Sequence, residues 1–196
     1  MLLAMPERNP EDRFVGKRSS FPRRKQDAYD TPPEAVPALL RQLRPGASFI
    51  EPCAGAGHLA THLTRAGHRC VAAFDVKPRP SLGLVIGRRD ALKAWVADCA
   101  GQADYFITNP PWTRAILHPL ILSLAPVLPT WLLFDADWPH TVQAVPYLPL
   151  LHRIVAVGRL RWIEGSEHSA KDNAAWYLFD EPRLPGVEIT FHGRRA

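Results

Sequence analysis

Short apolar segments alternate with segments of helical pattern along most of this chain, and no other feature of the sequence constrains the fold as strongly. Alternation of this kind builds β-α-β units, in which helices connect parallel strands and cover both faces of a sheet. The predicted segments are, in chain order, strand 48–51, helix 59–66, strand 70–75, helix 91–97, strand 105–108, helix 115–124 and strand 131–134. The sequence therefore predicts an α/β fold with a mostly parallel sheet.

The pattern changes in the last third of the chain. Apolar segments at 154–157 and 175–179 flank a charged loop, and 187–191 is a candidate last strand. We interpret this region as an antiparallel hairpin that closes one edge of the sheet.

A further helix is predicted upstream, where Thr31 precedes Pro32 and Glu34 follows three residues after Thr31. This spacing is typical of a capping box with proline at the first helical position. Apolar residues at helical spacing continue to Leu43, after which a Pro-Gly pair ends the pattern.

Composition excludes several classes of protein. Of the 196 residues, 46% are apolar and 22% are charged, as in globular proteins with a hydrophobic core. The apolar runs are too short for a membrane span of about 20 residues, and the N-terminus becomes polar too early for a signal peptide. The three cysteines form no closely spaced pair, which argues against a disulfide scaffold and a four-thiolate zinc site. We expect a cytoplasmic protein.

The charge distribution favours a polyanionic partner. The formal net charge is +5, and the first 25 residues carry seven basic side chains against three acidic ones. We predict a flexible basic arm at residues 1–27, which either contacts nucleic-acid phosphates or only aids solubility. Residues 28–196 are predicted to form one catalytic domain, since domains commonly have about 100–200 residues.

A turn of small residues follows the first predicted strand and leads into a helix. Ligands of doubly wound sheets bind at the carboxyl ends of the strands, where Gly55 and Gly57 let the backbone approach closely. The turn has neither a third glycine nor a Gly-Lys-Ser/Thr ending, which argues against a dinucleotide or a triphosphate. Asp75 ends the next strand, 18 residues after Gly57, where an acid accepts hydrogen bonds from ribose hydroxyls. A smaller nucleoside ligand is therefore favoured.

A second motif, Asn109-Pro110-Pro111-Trp112, follows the strand at 105–108. Each proline fixes its own φ and restricts the residue before it, so the Asn109 side-chain oxygen and the Pro110 carbonyl are held in a preset geometry. Two such acceptors match a planar amino group, such as the exocyclic amine of adenine or a glutamine amide. Trp112 is a candidate stacking partner for a base.

The motifs together resemble those of class I S-adenosylmethionine-dependent amino-methyltransferases, and particularly small adenine-N6 DNA methyltransferases in the gamma arrangement. The matching segments are Glu51-Pro-Cys-Ala-Gly-Ala-Gly57, Asn109-Pro-Pro-Trp112, Tyr29-Asp-Thr-Pro-Pro-Glu34 and Asp172-Asn-Ala-Ala-Trp-Tyr-Leu-Phe179. The resemblance implies the Rossmann-like class I methyltransferase fold and S-adenosyl-L-methionine as cofactor. It also implies direct, in-line transfer of a methyl group to the N6 amine of a flipped adenine in DNA.

Roles for individual residues follow from the same resemblance. The implied cofactor-binding residues are Thr31, Pro32, Glu51, Pro52, Gly55, Gly57, Asp75 and Asp90. Asp75 is expected to bind the ribose, and Asp90 is expected to bind the adenine amine of the cofactor. The implied catalytic residues are Asn109, Pro110, Pro111 and Trp112. Trp112 and Trp176 are expected to stack on the target base.

No metal site is predicted. His58 and His62 lie four residues apart on a predicted helix, but Leu59 stands where a zinc protease has its glutamate. Two partly exposed histidines on an amphipathic helix are the simpler interpretation.

Other interpretations of the motifs stay open. The Asn-Pro-Pro-Trp turn also suits the amine of an RNA adenine or of a protein glutamine, and a catalytically idle nucleic-acid-binding module is an alternative of a different class. The expected partner is nucleic acid, DNA in the first place, and no membrane is expected. A partner protein is a candidate source of target specificity, because no separate recognition region is evident in these residues.

Overall fold

One sheet runs through the part of the chain that the computed structural model describes, which comprises residues 29–81, 83–163, 170 and 172–194. Within this part, the sheet has eight strands. They are β1 (Ser48–Glu51), β2 (Arg69–Asp75), β3 (Gly87–Arg88), β4 (Tyr105–Thr108), β5 (Thr130–Asp135), β6 (Leu151–Arg159), β7 (Asn173–Phe179) and β8 (Thr190–His192). Their order across the sheet is β3-β2-β1-β4-β5-β7-β6-β8.

The sheet is parallel from β3 to β5 and becomes antiparallel where β7 pairs with β5. β6 and β7 form an antiparallel hairpin, and the short β8 pairs in parallel with β6. The predicted α/β fold, its mostly parallel sheet and its closing hairpin are thus confirmed. β2 and β3 lie on one side of β1 and the later strands on the other, and a crevice opens at the carboxyl ends of the strands where the order reverses.

Helices cover both faces of the sheet, as predicted. α1 (Val36–Leu40) and α2 (His58–Arg65) pack on one face, and α3 (Arg114–Leu124) packs on the other. The sequence of α3 explains its placement, because its buried residues recur at helical spacing and form one apolar side. These residues are Leu117, Leu120, Ile121 and Leu124.

The helix predicted from residue 31 to residue 43 is wrong in its extent. A 3-10 turn at Pro33–Ala35 leads into α1, which ends at Leu40, and no side-chain hydrogen bond caps the turn. A helix beginning at Pro32 would place Pro37 in its interior, where the missing N–H and the ring of proline interrupt the backbone hydrogen bonds. Thr31 is instead buried, with 5% exposure.

The helix predicted at 91–97 is also replaced by a 3-10 helix, which spans Ala94–Cys99. The Asp90 carboxylate accepts the N–H of Leu92 at 3.0 Å and so starts a turn at the point where the helix was expected. Short aspartate side chains stabilise such turns in competition with a helix.

Asp104 joins the amino ends of β1 and β4. Its Oδ2 accepts hydrogen bonds from the backbone N–H and the hydroxyl of Ser48, each at 2.7 Å, and Oδ1 pairs with Arg44. These bonds favour the ionised carboxylate and lower the pKa of Asp104 to about 2. These bonds therefore hold the amino ends of β1 and β4 together.

None of the helices in the described ranges combines the length and the apolar character that a membrane span needs. The predicted basic arm, residues 1–27, lies outside the described residues. The assignment of residues 28–196 to one domain stays a prediction.

Trp176 of β7 belongs to the core. Its side chain has 0% exposure, and its Nε1 donates a hydrogen bond to the carbonyl of Ala35 at 2.8 Å. A ring that is buried on all sides offers no free face to a base. The structure therefore corrects the prediction that Trp176 stacks on the target base, and it explains this tryptophan by packing.

Trp131 of β5 provides a matched comparison for the Trp176 hydrogen bond. It is also buried, but its Nε1 has no hydrogen-bond partner among the described residues. Substitution by phenylalanine removes a similar apolar area at both positions, but only Trp176→Phe also removes a buried hydrogen bond. We expect Trp176→Phe to lower the free energy of unfolding by about 1–2 kcal/mol more than Trp131→Phe. Urea denaturation followed by circular dichroism measures both losses, and equal losses would contradict the assigned hydrogen bond.

Candidate active site

A cavity of about 430 Å³ lies at the carboxyl ends of the parallel strands. Its lining residues come from segments 29–31, 51–55, 75–79, 90–92 and 109–111, with further side chains from α2 and α3. The volume lies in the range of small-molecule sites, about 300–1,000 Å³. The crevice predicted from the strand order is therefore present as a site of ligand size.

The glycine turn forms the wall between β1 and α2. Gly55 and Gly57 have φ of +57° and +80°, in the left-handed region that favours glycine. Gly57 donates its N–H to the carbonyl of Ala54 at 2.7 Å, and α2 begins at the next residue. Gly55 lines the cavity, whereas Gly57 is buried beside it and shapes the turn.

Glu51 ends β1 with a carboxyl group that is buried in the cavity wall, with 1% exposure. Its Oε2 accepts the N–H of Ala60, in the first turn of α2, at 2.9 Å. Burial raises the pKa of Glu51 to about 8, and the charge of Asp75 adds to the rise, while the hydrogen bond from Ala60 opposes it. Glu51 thus holds a proton at neutral pH, and a cation bound beside it would favour the ionised form.

Asp75, at the end of β2, uses both carboxylate oxygens to hold backbone. Oδ2 accepts the N–H of Gly55 at 2.8 Å, and Oδ1 accepts the N–H of Lys77 at 2.7 Å. Each oxygen of a carboxylate has a further lone pair available for a ligand hydroxyl. Because Asp75 lines the cavity, these lone pairs suit a diol such as that of ribose.

Asp90 lines the cavity together with Ile116 and Leu120 of α3. Its Oδ1 accepts the N–H of Leu92 at 3.0 Å, and its carbonyl accepts the indole N–H of Trp95 at 2.7 Å. One carboxylate beside two aliphatic side chains suits a flat ring that carries a single amino group.

The Asn109-Pro110-Pro111-Trp112 turn begins at the residue after β4. Asn109 and Pro111 line the cavity, whereas Pro110 is buried. The indole N–H of Trp112 is shared between Asn109 Oδ1 at 3.3 Å and the carbonyl of Leu133 at 3.1 Å. The indole therefore orients the Asn109 amide and joins the turn to β5, and Oδ1 has a second lone pair for another donor.

An aromatic cluster, formed by Tyr29, Trp112 and Trp162, lies beside this turn. The rings of Trp112 and Trp162 meet edge to face with centroids 5.5 Å apart, and Tyr29 lies 6.3 Å from Trp162. The cluster reaches the cavity through Tyr29 and contacts Asn109 through Trp112. Sequence reasoning missed Trp162 because it follows β6 in a charged segment without periodicity.

The cavity brings together most of the site residues that the sequence predicted. The predicted residues that line it are Thr31, Glu51, Pro52, Gly55, Asp75, Asp90, Asn109 and Pro111. The predicted residues that neighbour these in the chain without lining the cavity are Pro32, Gly57, Pro110 and Trp112.

The charged or titratable lining residues Asp30, His58, Lys77 and Arg79 had no role assigned from sequence. The only sequence signal at Arg79 is its position between two prolines soon after the strand that ends at Asp75. In the ranges that the structure describes, no group of three or more His, Cys, Asp or Glu side chains is placed to hold a metal ion.

The raised pKa of Glu51 makes a prediction about stability. In the unfolded chain this carboxyl has its ordinary pKa near 4.5, so between about pH 4.5 and pH 8 the folded state binds more protons than the unfolded state. The contribution of Glu51 to stability therefore falls as pH rises through this window. Glu51→Gln keeps an acceptor for Ala60 and removes the titration.

We expect the melting temperature of Glu51→Gln, relative to the unsubstituted protein, to rise from pH 5 to pH 8. Scanning calorimetry across this range measures the difference, and groups common to both proteins cancel. Asp98→Asn, at an exposed position of the 3-10 helix, is the matched control. A difference that stays constant with pH would contradict a buried, protonated Glu51.

The chain matches no protein-family model and no curated protein sequence, but 142 solved chains match its structure. One is the Mtq2-Trm112 complex of E. cuniculi, responsible for methylation of the eRF1 translation termination factor (16% identity, TM-score 0.53, 79% of this chain and 99% of that chain). Another is a modification subunit of a proposed type I restriction enzyme from Vibrio vulnificus. It is 13% identical, with a TM-score of 0.54, and the match covers 86% of this chain and 47% of that chain.

A third similar structure is a proposed class I S-adenosylmethionine-dependent methyltransferase from Listeria monocytogenes. It is 14% identical, with a TM-score of 0.51, and the match covers 85% of this chain and 66% of that chain. Likeness at such low identity concerns the fold. The described part of the chain has the Rossmann-like α/β fold of the class I methyltransferases.

Proposed function

We propose that this protein is an S-adenosyl-L-methionine-dependent methyltransferase that methylates the exocyclic N6 amine of adenine in DNA. One observation carries the proposal: Asn109 and Pro111, from a rigid turn after β4, line the same cavity as the glycine turn after β1. A nucleoside-type cofactor and a planar amine would meet there. The fold shared with methyltransferases supports the same reaction class.

The lining residues fit the proposed cofactor. Asp75 has lone pairs for the ribose hydroxyls, Asp90 has a carboxylate for the adenine amine, and Gly55 leaves the backbone open to close approach. Glu51 would gain a favourable interaction with a positively charged ligand. When bound, this cofactor supplies an electrophilic methyl group on a sulfonium sulfur.

Asn109 is the proposed amine holder. Its Oδ1 already accepts the indole N–H of Trp112 at 3.3 Å, so a target amine would find an acceptor with a fixed direction. The proposed second acceptor is the carbonyl of Pro110, which stands between the cavity-lining residues Asn109 and Pro111; the φ of Pro110 is fixed by its own ring and its ψ is restricted by Pro111. Two acceptors that bind both N–H groups leave the nitrogen lone pair facing the methyl group, and this orientation supplies most of the rate gain.

An adenine in a duplex must leave the helix to reach such a cavity. The aromatic cluster of Tyr29, Trp112 and Trp162 lies beside Asn109, and stacking of the extruded base against this cluster would offset the loss of base stacking. The basic arm at residues 1–27 is the proposed contact to the phosphate backbone. A partner protein is a further proposed source of target choice, and the similar Mtq2 structure contains a partner, Trm112.

The second candidate is the same reaction on a protein glutamine or an RNA adenine. The amide of glutamine is also a planar amine with two N–H groups, and Asn109 would hold it in the same way. The similarity to the Mtq2-Trm112 complex, which methylates a protein, favours this alternative.

Asn109 provides the test of the proposed function. We expect label from S-adenosylmethionine to appear in unmethylated DNA as N6-methyladenine after nucleoside digestion. Asn109→Ala should lower the rate about 100-fold or more, because it removes an acceptor that orients the amine. The affinity for S-adenosylhomocysteine, measured by calorimetry, should stay within twofold. Asn173→Ala, at an exposed position of β7, is the matched control.

RNA and protein substrates are assayed in parallel with DNA. Label in either of these polymers that is abolished by Asn109→Ala would support the second candidate, methylation of a protein glutamine or an RNA adenine, in place of DNA. Absence of any cofactor binding would overturn the methyltransferase reaction itself.

Trp162 tests the aromatic cluster. We expect Trp162→Ala to raise the KM for DNA about tenfold, because loss of one stacking ring costs binding of the extruded base. Trp162→Phe should recover most of the loss. Phe191→Ala, which removes an exposed ring on β8, should change neither constant. A lower affinity for the cofactor with an unchanged KM for DNA would place Trp162 outside the base site.

A further inference from the structure

Three arginines follow the ends of two neighbouring strands at the cavity edge of the sheet. β6 ends at Arg159, Arg161 lies two residues further on, and Arg194 follows β8. β5 and β6 run in the same direction, because both pair with β7 in antiparallel fashion, and β8 is parallel to β6. The carboxyl ends of β6 and β8 therefore lie at the edge of the sheet where the cavity opens. We call these three residues the arginine strip.

Arg194 is packed against the end of β6. Gly158 has φ of +96° and lies at an irregularity in the pairing of β6 with β7. A Cβ built on Gly158 would lie 2.9 Å from Nη1 and 3.5 Å from Cδ of Arg194. The Arg194 side chain thus occupies the space that a side chain at 158 would fill. Because Arg159 is the next residue of the strand, two arginines that are distant in sequence meet at the end of β6.

The other end of the strip reaches the proposed base site. Arg161 directly precedes Trp162, whose ring meets that of Trp112 edge to face with centroids 5.5 Å apart. Trp112 in turn donates its indole N–H to Asn109 Oδ1 at 3.3 Å. The strip therefore leads from the outer strand of the sheet to the turn that is proposed to hold the target amine.

The charges of the strip are not neutralised within the described part of the chain. All three arginines are exposed, and none of their guanidinium groups forms an ion pair with a described carboxylate. A guanidinium group offers two parallel N–H donors that match the oxygens of a phosphate. The strip is therefore complementary to a polymer that carries negative charge at every unit.

The two strands on the inner side of β6 carry the opposite charge at this edge. Asp135 ends β5, Asp137 lies two residues further on, and Asp172 directly precedes β7. A phosphate backbone would be repelled by these carboxylates and attracted by the strip. The charge pattern therefore favours a path for a polyanion over β6 and β8.

We propose that the arginine strip binds the phosphate backbone of the DNA strand that carries the target adenine. This inference rests on the proposed function, since it takes DNA as the substrate, and it adds the direction in which the strand leaves the site. Contacts to phosphates fix the position and orientation of a nucleic acid and do not read its sequence. The strip thus aligns the strand with Asn109 and leaves the choice of target to other groups.

The salt dependence of DNA binding tests the strip. Each phosphate that a protein neutralises contributes about −0.9 to the slope of log K against log salt concentration for duplex DNA. The probe is a fluorescein-labelled DNA duplex, titrated with the full chain and followed by fluorescence anisotropy at several NaCl concentrations. We expect the variant Arg159→Gln/Arg161→Gln/Arg194→Gln to reduce the magnitude of the slope by about 2–3. Lysine at the same three positions should restore most of the slope.

The variant Arg41→Gln/Arg65→Gln/Arg69→Gln is the matched control, because it removes the same net charge elsewhere. Arg41 follows α1, Arg65 ends α2 and Arg69 begins β2, and all three are exposed and lie outside the cavity lining. This variant should change the slope by less than about 0.5. Both variants should bind S-adenosylhomocysteine like the unsubstituted protein in titration calorimetry, and thermal melts check that both are folded.

The outcomes separate failure of the inference from failure of the proposed function. An unchanged slope in the strip variant, or an equal reduction in the control variant, would overturn the strip and leave methyl transfer to DNA intact. Label transfer to protein alone, without salt-dependent binding of DNA by the unsubstituted protein, would overturn both the strip and the DNA substrate.

Discussion

Two hydrogen bonds from backbone N–H groups to carboxylates hold the turn on which the rest of the cavity depends. Glu51 accepts the N–H of Ala60 and fixes the start of α2 to the end of β1, while Asp75 accepts the N–H of Gly55 and fixes the same turn to β2. Because these bonds hold the turn through its backbone, the turn needs no large side chains to fix its conformation. A ligand can therefore approach the main chain closely, and both carboxylates face the cavity.

The two ends of the parallel strands have different tasks. At the amino ends, Asp104 is bonded to Ser48 and Arg44 and ties neighbouring strands together. At the carboxyl ends, Glu51 and Asp75 line the cavity. Within the described residues, their carboxylates accept hydrogen bonds from backbone N–H groups and not from a side chain of a neighbouring strand. The pKa values of the carboxyl groups at the two ends therefore shift in opposite directions, because hydrogen bonds lower the pKa of Asp104 and burial raises the pKa of Glu51.

Much of the fold was predictable, because alternation of strands and helices is a local pattern and the glycine and Asn-Pro-Pro-Trp turns lie directly after strands. The errors have local or long-range causes. Pro37 prevents the long first helix. Trp176 lies in a strand that is buried on both faces. In such a strand, the sequence pattern does not distinguish a tryptophan that stacks on a ligand from one that is buried in the core. Asp30 and Arg79 are 49 residues apart and meet only through the folded turn.

The close contact between Gly55 and Arg79 couples two distant positions of the sequence. A side chain at 55 would occupy the space of the guanidinium, which lies 2.7 Å from where a Cβ would stand. Asparagine tolerates the left-handed backbone of this position better than other residues with a Cβ, but with asparagine at 55 the flexible guanidinium of Arg79 would have to move aside. That movement would disturb the charge pair between Arg79 and Asp30. Glycine at 55 is therefore expected to be kept wherever this charge pair is kept.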